Sequence, residues 1–143
     1  MKINFQSRLN MRKLDNLISR MKKAVNGTDD ITQKYCIMLR NTMIEGIMTT
    51  PKTGRVYGNH ISSSPGNYPA NWTGELIAGI SISPPSFGFR QVKIEVDYAA
   101  ALEYGAKYGN RVLLPRPFVN PSIDKLKPDF EKDVKNLFFR SYI

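Results

Sequence analysis

His60 is the only histidine and Cys36 the only cysteine in the chain, which restricts the chemistry open to it. A zinc site of the usual Cys/His kind cannot be assembled from one of each. An acyl-transfer triad needs a histidine base held by an acid. His60 instead lies in a Gly/Ser/Pro-rich stretch, where an exposed structural role is expected. Ser62, Ser63 and Ser64 lack the Gly-x-Ser-x-Gly frame of a strained nucleophile turn. Gly105-Ala106-Lys107-Tyr108-Gly109 is flanked by glycines but lacks the Gly-Lys-Ser/Thr ending of a phosphate loop, and reads as a turn. Three acids, Glu95, Asp97 and Glu103, are close in sequence. Glu95 and Asp97 share one face of a strand, as a cation site or an acid–base pair would need. A solvated sheet face accounts for them more simply. No catalytic residue, metal site or cofactor is expected. Cys36 adjoins the inner stripe of a helix, where a buried, inert thiol is the default, and a single cysteine allows no internal disulfide.

Periodicity distributes these residues over a small set of elements. Leu14, Leu17, Ile18, Met21 and Val25 recur at helical spacing, and Asn26-Gly27 supplies a helix stop. Thr28 then caps a second helix with Asp29 and Asp30 in its first turn. Its inner stripe is Ile31, Tyr35, Met38, Leu39, Thr42, Met43 and Gly46, and Pro51 ends it. Gly46 weakens that helix by about 1 kcal/mol against alanine, which suggests a close backbone approach. Residues 50–72 are irregular apart from a brief strand at Arg55-Val56-Tyr57, and Thr73 caps a short turn of helix at 74–78. Ile80 and Ile82 alternate with serines, and Val92, Ile94 and Val96 alternate with charged residues. That is a hairpin with one face buried. A short helix over 98–104 is closed by Gly105, and Val112-Leu113-Leu114 reads as a third strand. Asn120-Pro121 starts a last helix, with Ile123, Leu126, Phe130, Val134, Leu137 and Phe138 at helical spacing and a kink at Pro128.

The expected fold is α+β, a single domain over 1–143. It comprises a basic helix to residue 27, a second helix over 28–50, a long irregular loop over 51–72, a small antiparallel sheet of about three to four strands with a short helix over 73–119, and a C-terminal helix over 120–143 packed on the sheet. Tyr98, Tyr104 and Phe118 are expected in the core. No apolar run approaches membrane-spanning length, and Met1–Lys13 lacks the apolar stretch of a signal peptide. A soluble protein made in the cytoplasm, with no membrane partner, is expected, and the Asn71-Trp72-Thr73 sequon then has no use.

Charge is the strongest compositional signal. The chain carries 21 Lys/Arg against 12 Asp/Glu, a net +9. Residues 1–40 hold nine of those cations against Asp15, Asp29 and Asp30, a net +6 of the +9. Arg12, Lys13, Arg20, Lys22 and Lys23 fall mostly off the apolar stripe, and face either a polyanion such as DNA, an acidic protein surface, or water alone. Neither an RNA-binding nor a helix-turn-helix signature is present.

One ordered set of motifs is more specific. It consists of Gly-Arg-x-Tyr at 54–57, Ser-Pro-Gly-x-x-Pro at 64–69, Thr-Gly-x-Leu at 73–76, the hairpin, Tyr-Ala-x-x-Leu-Glu-x-Gly at 98–105, and Arg-Pro-Phe at 116–118. This order resembles the head–tail joining, or neck and tail-completion, proteins of long-tailed bacteriophages. The resemblance covers roughly residues 30–140 and departs from the family pattern in a longer, more basic spacer over 106–115. It implies a non-enzymatic virion protein forming a ring with other copies of itself, six-fold by the symmetry of a tail. Such a ring sits between the head connector and the tail terminator or tube, around the passage for genomic DNA.

Within that frame Gly74, Leu76, Tyr98, Leu102, Glu103, Gly105, Arg116, Pro117 and Phe118 are structural. Leu102 is expected to pack inward, and Glu103 to face out and pair with the Arg116 fork. Tyr57, Pro65, Gly66, Tyr68, Pro69 and Trp72 are assigned to contact with a neighbouring subunit, because Tyr and Trp are favoured interface anchors. The alternatives are a basic nucleic-acid-binding module using the first helix, with affinity falling steeply in salt, and a small metal-dependent hydrolase using Glu95, Asp97 and Glu103.

Overall fold

The computed structural model describes residues 11–85 and 89–142. Its spine is one continuous helix, α1 (Met11–Thr49), where two were expected. The stop signal at Asn26-Gly27 is overridden by packing. Gly27 lies against Leu137 of the last helix, and a Cβ there would run into the Leu137 side chain. The glycine therefore lets two helices approach closely. Thr28 is likewise no cap; its hydroxyl donates to the Ala24 carbonyl at 2.9 Å, one turn back in the same helix.

Along α1 the first apolar stripe and the second have different fates. Leu17, Ile18 and Met21 are exposed, whereas Tyr35, Met43 and Ile47 are buried. Sequence periodicity anticipated Tyr35 and Met43 but not Ile47. Gly46 faces the ring of Tyr68, which occupies the space a Cβ would take.

After α1 come β1 (Val56–Tyr57) and β2 (His60–Ile61), α2 (Glu75–Ala78), β3 (Ile80–Ile82), β4 (Val92–Ile94), α3 (Ala99–Tyr104), β5 (Ala106–Tyr108), β6 (Arg111–Leu113) and α4 (Val119–Tyr142). Among the described residues the strands form three separate antiparallel hairpins and no single three- or four-stranded sheet. The β3–β4 hairpin has the register that alternation requires, with Ile80 opposite Ile94 and Ile82 opposite Val92. The segment Ala106–Tyr108, read as part of a turn, pairs instead with Arg111–Leu113. Gly109, at φ 59°, supplies the left-handed residue that its tight turn needs. At α2 the cap position is Gly74, which makes no side-chain bond. Thr73 accepts a long one, 3.4 Å, from the Glu75 N–H.

The C-terminal helix does not lie on a sheet. α4 runs antiparallel to α1, and Gly27 meets Leu137, Lys34 meets Asp133, and Tyr35 meets Phe130 edge-on at 5.2 Å. Pro121 sits in the first turn, where a missing N–H goes unnoticed, and the helix continues through Pro128. Between the C-terminal half of α1, the β3–β4 hairpin and the start of α4 lies the core: Met43, Ile47, Leu76, Ile80, Ala99 and Phe118. Phe118 is therefore central as expected, while Tyr98 and Tyr104 are exposed, a correction to the core reading of both. Among the described residues no helix is long and apolar enough to cross a membrane.

The α1–α4 seam contains the strongest titration effect. The Tyr35 phenol donates to Asp133 Oδ2 at 2.7 Å, and Lys34 Nζ donates to the same oxygen at 2.8 Å. Burial, and then the Asp133 carboxylate, push Tyr35 up to about 12. The hydrogen bonds from Lys34 and Tyr35 hold Asp133 below the usual carboxylate range. Between about pH 10, where an ordinary tyrosine ionises, and about 12, the unfolded chain loses its proton while the folded one keeps it, so stability falls across that window. At the acid end, the contribution of Asp133 is present above its ordinary pKa and is lost as pH falls through its lowered folded value. In a spectrophotometric titration of the seven tyrosines, Tyr35 will ionise late. Asp133→Asn will bring it forward but not back to 10, because burial is the larger cause. A titration unaltered by Asp133→Asn would disprove the coupling.

Candidate interface cleft

Residues of several expected motifs converge on one cleft of about 350 Å³. Its frame starts at the β1–β2 hairpin, prolonged by Gly54 N–H donating to Ser62 O at 2.8 Å and Ser62 N–H donating to Arg55 O at 3.0 Å. Arg116 fastens this segment to the rest of the molecule. Held extended before Pro117, it donates its backbone N–H to Leu102 O at 2.6 Å. Its side chain donates to Ser63 O at 3.0 Å, Leu114 O at 3.3 Å and Ser62 Oγ at 3.5 Å. Gly66 N–H donates to Pro115 O at 2.9 Å, which pins the loop farther on. The long loop is thus held in part by backbone and guanidinium bonds.

Aromatic side chains line the opening. The Trp72 indole lies parallel to the His60 imidazole, with centroids 4.8 Å apart and planes 10° apart. Tyr57 stands on the same rim, and Trp72, at 67% exposure, is no core residue. Leu76, Leu102 and Leu113 form the apolar walls, and Arg116 reaches the cleft from below. Tyr98 donates to Glu75 Oε2 over 3.4 Å, and burial, then Glu75, raise its pKa. Among the described residues of this cleft, no hydrogen bond joins a hydroxyl nucleophile to the His60 imidazole. What it offers is a concave, largely apolar surface with rigid aromatic anchors.

Of the residues assigned to a neighbouring subunit, Tyr57, Pro69 and Trp72 line the cleft. Pro65 and Gly66 are exposed beside it. Tyr68 serves the interior instead. Its ring covers Gly46, its hydroxyl shares a 2.8 Å hydrogen bond with Ser122 Oγ, and Lys125 Nζ stands 5.2 Å from the ring centre. Tyr68 therefore ties the loop to α1 and α4. Gly74, Leu76, Tyr98, Leu102 and Arg116 line the cleft, while Pro117 and Phe118 lie behind it.

The expected Glu103–Arg116 pair does not form. Glu103 turns inward and is 6% exposed. Its carboxylate accepts the N–H groups of Phe118 at 2.7 Å, Val119 at 2.9 Å and Asn120 at 2.9 Å. These are donors at the start of α4 that have no partner within their own helix. Leu102, beside it, is only partly buried. Gly105, at φ 77° and with Leu113 O where a Cβ would go, permits the reversal that brings Glu103 to this position. Sequence reasoning missed the cap because its partners lie 15 to 17 residues away. No local signal marks it, since Glu103 stands near the end of α3 and far in sequence from the start of α4.

Arg12, Lys13, Arg20, Lys22 and Lys23 are all exposed on the first turns of α1, and none lines the cleft. Glu95 and Asp97 are exposed beyond β4. Among the described residues no three His, Cys, Asp or Glu side chains are placed to share a metal ion. Cys36 is half-buried, and burial raises its thiol pKa against the opposing effect of Arg90.

Comparison with protein families, with curated proteins and with solved structures found no match.

Proposed function

We propose that this chain is a structural, non-enzymatic subunit of a tailed-bacteriophage virion. It forms a ring, six-fold by the symmetry of the tail, at the head–tail junction. There it links the head connector to the tail terminator or tube around the DNA channel, with Trp72 and its loop in contact with a neighbouring subunit. The observation that carries the reading is the convergence of the ordered motifs. Arg-Pro-Phe, Tyr-Ala-x-x-Leu-Glu-x-Gly and Ser-Pro-Gly-x-x-Pro make one clamped unit that holds Trp72 and Tyr57 at the surface. Rigid, exposed aromatics suit an assembly contact, since they bury large area with little side-chain entropy to lose. The exposed cations of α1 suit a position beside passing DNA.

Electron microscopy of a lysate in which this gene carries an early stop tests the proposal. Filled heads and finished tails lying apart are expected. Trp72→Ala should reproduce that picture while the isolated chain keeps its melting temperature. Intact, joined virions from the early-stop lysate would overturn the reading. The exposed α1 cations would then favour a nucleic-acid-binding module, for which DNA affinity of the purified chain falls steeply with salt.

A further inference from the structure

Arg116 holds a positive charge for which the described residues supply no negative partner. The residue is 8% exposed, and its side-chain hydrogen bonds all go to neutral acceptors: two carbonyls and a hydroxyl. The ion pairs found among the described residues are Lys34–Asp133 and Arg90–Asp29, neither of which involves Arg116. The carboxylate nearest in the motif, Glu103, is already engaged by three backbone donors. A guanidinium presents five N–H groups in a planar fork, and neutral acceptors compensate only part of the hydration that a buried cation loses. Arg116 also lines a cleft that opens to the surface between aromatic and aliphatic walls.

We propose that this cleft is a docking socket for an acidic segment of another protein. An Asp or Glu carboxylate of that segment pairs with Arg116 through the guanidinium N–H groups that Ser62, Ser63 and Leu114 leave free, and a neighbouring apolar side chain lies against Tyr57, Trp72 and Leu76. Charge selects the occupant. With 21 Lys/Arg against 12 Asp/Glu, the chain attracts an acidic partner more strongly than a second copy of itself. The apolar walls select against a bare inorganic anion, which would leave them wet. Glu75, on the rim with Tyr98, repels a carboxylate there and so orients the segment with its acid toward Arg116. The inference rests on the proposed contact of Trp72 with a neighbouring subunit and names that neighbour as a different protein of the assembly, not a second copy of this chain.

Trp72 is the only tryptophan, so its fluorescence reports occupancy directly. The probes are acetyl-Leu-Glu-Leu-Glu-Leu-amide, the same peptide with glutamine for glutamate, and inorganic phosphate. A saturable change is expected with the glutamate peptide, binding at least about ten-fold weaker with the glutamine peptide, and no matching change with phosphate. Arg116→Gln should remove the preference for glutamate over glutamine. Tyr57→Ala should weaken binding of the glutamate peptide several-fold without moving the melting temperature, since Tyr57 is 48% exposed on a hairpin rim. That variant and the peptide pair keep the test decisive even where Arg116→Gln does not fold. Equal affinity for the two peptides, a response that phosphate reproduces, or no saturable response would overturn the proposal. Self-association of the free chain that buries Trp72 would also overturn it, by making a second copy the occupant.

Discussion

Glu103→Ala will destabilise the fold by about 3–5 kcal/mol, the cost of leaving several buried donors without an acceptor. The carboxylate accepts three successive N–H groups at 2.7, 2.9 and 2.9 Å. It also places negative charge at the positive end of a 24-residue helix. The losses do not add in full, because Asn120 is exposed and its N–H can turn to water. Glu103→Gln should fall between alanine and wild type: the amide oxygen still accepts, while its NH2 opposes the remaining donor. Urea denaturation measures this. An unfolding free energy for Glu103→Ala within about 0.5 kcal/mol of wild type, the range of a neutral surface change, would show that the carboxylate does not hold the start of α4.

Phe118→Ala will cost a similar amount, about 3–5 kcal/mol, by opening a cavity at the centre of the core. Phe118 is 0% exposed and packs in one cluster with Met43, Ile47, Leu76, Ile80 and Ala99. Its backbone is held from both sides. Its N–H donates to Glu103, and its carbonyl accepts from Ser122 Oγ at 2.6 Å. Shielded in this way, the site has little freedom to collapse and shrink the cavity, so the loss belongs at the upper part of the usual range. The shared peptide also makes the two substitutions interdependent. The double variant should lose less than the two single losses added together, because releasing Glu103 already frees the Phe118 backbone to move. Strict additivity in the double-mutant cycle would disprove that coupling. Domains are typically stable by only about 5–15 kcal/mol, so either variant should also impair assembly simply by unfolding the chain.

Local patterns in the chain were sufficient for some of this architecture. Alternation of Ile80 and Ile82 against Val92 and Ile94 specifies the β3–β4 hairpin, because a slip of one residue would turn both rows to water. Gly105 ends α3 because only a residue free at positive φ continues the chain there. The spacing of Tyr35 and Met43 marks the inner face of α1, and the spacing from Ile123 to Phe138 marks a helix. The cleft was partly legible as well, since Tyr57, Pro69 and Trp72 were singled out as contact residues on their type and on the stiffness of their loop.

The failures share one cause: each turned on a partner distant in the chain. Asn26-Gly27 is a sound stop signal worth about 1 kcal/mol, and the packing of Leu137 against Gly27 outweighs it, so two helices become one. Ala106–Tyr108 carries no strong strand pattern, and its strand exists because Arg111–Leu113 pairs with it. Glu103 lies on a helix of six residues, too short for periodicity to say which face turns inward. The unpaired donors at the start of α4 decide that, and Arg116 is left to Ser62, Ser63 and Leu114. The amino-acid sequence by itself determined where helices, hairpins and sharp reversals are permitted, because those depend on backbone sterics and on neighbours a few residues apart. Only the tertiary structure decided which glycine closes a helix seam, which acid caps a helix and which arginine lies buried without a carboxylate, because burial energies of several kcal/mol exceed local preferences of about one.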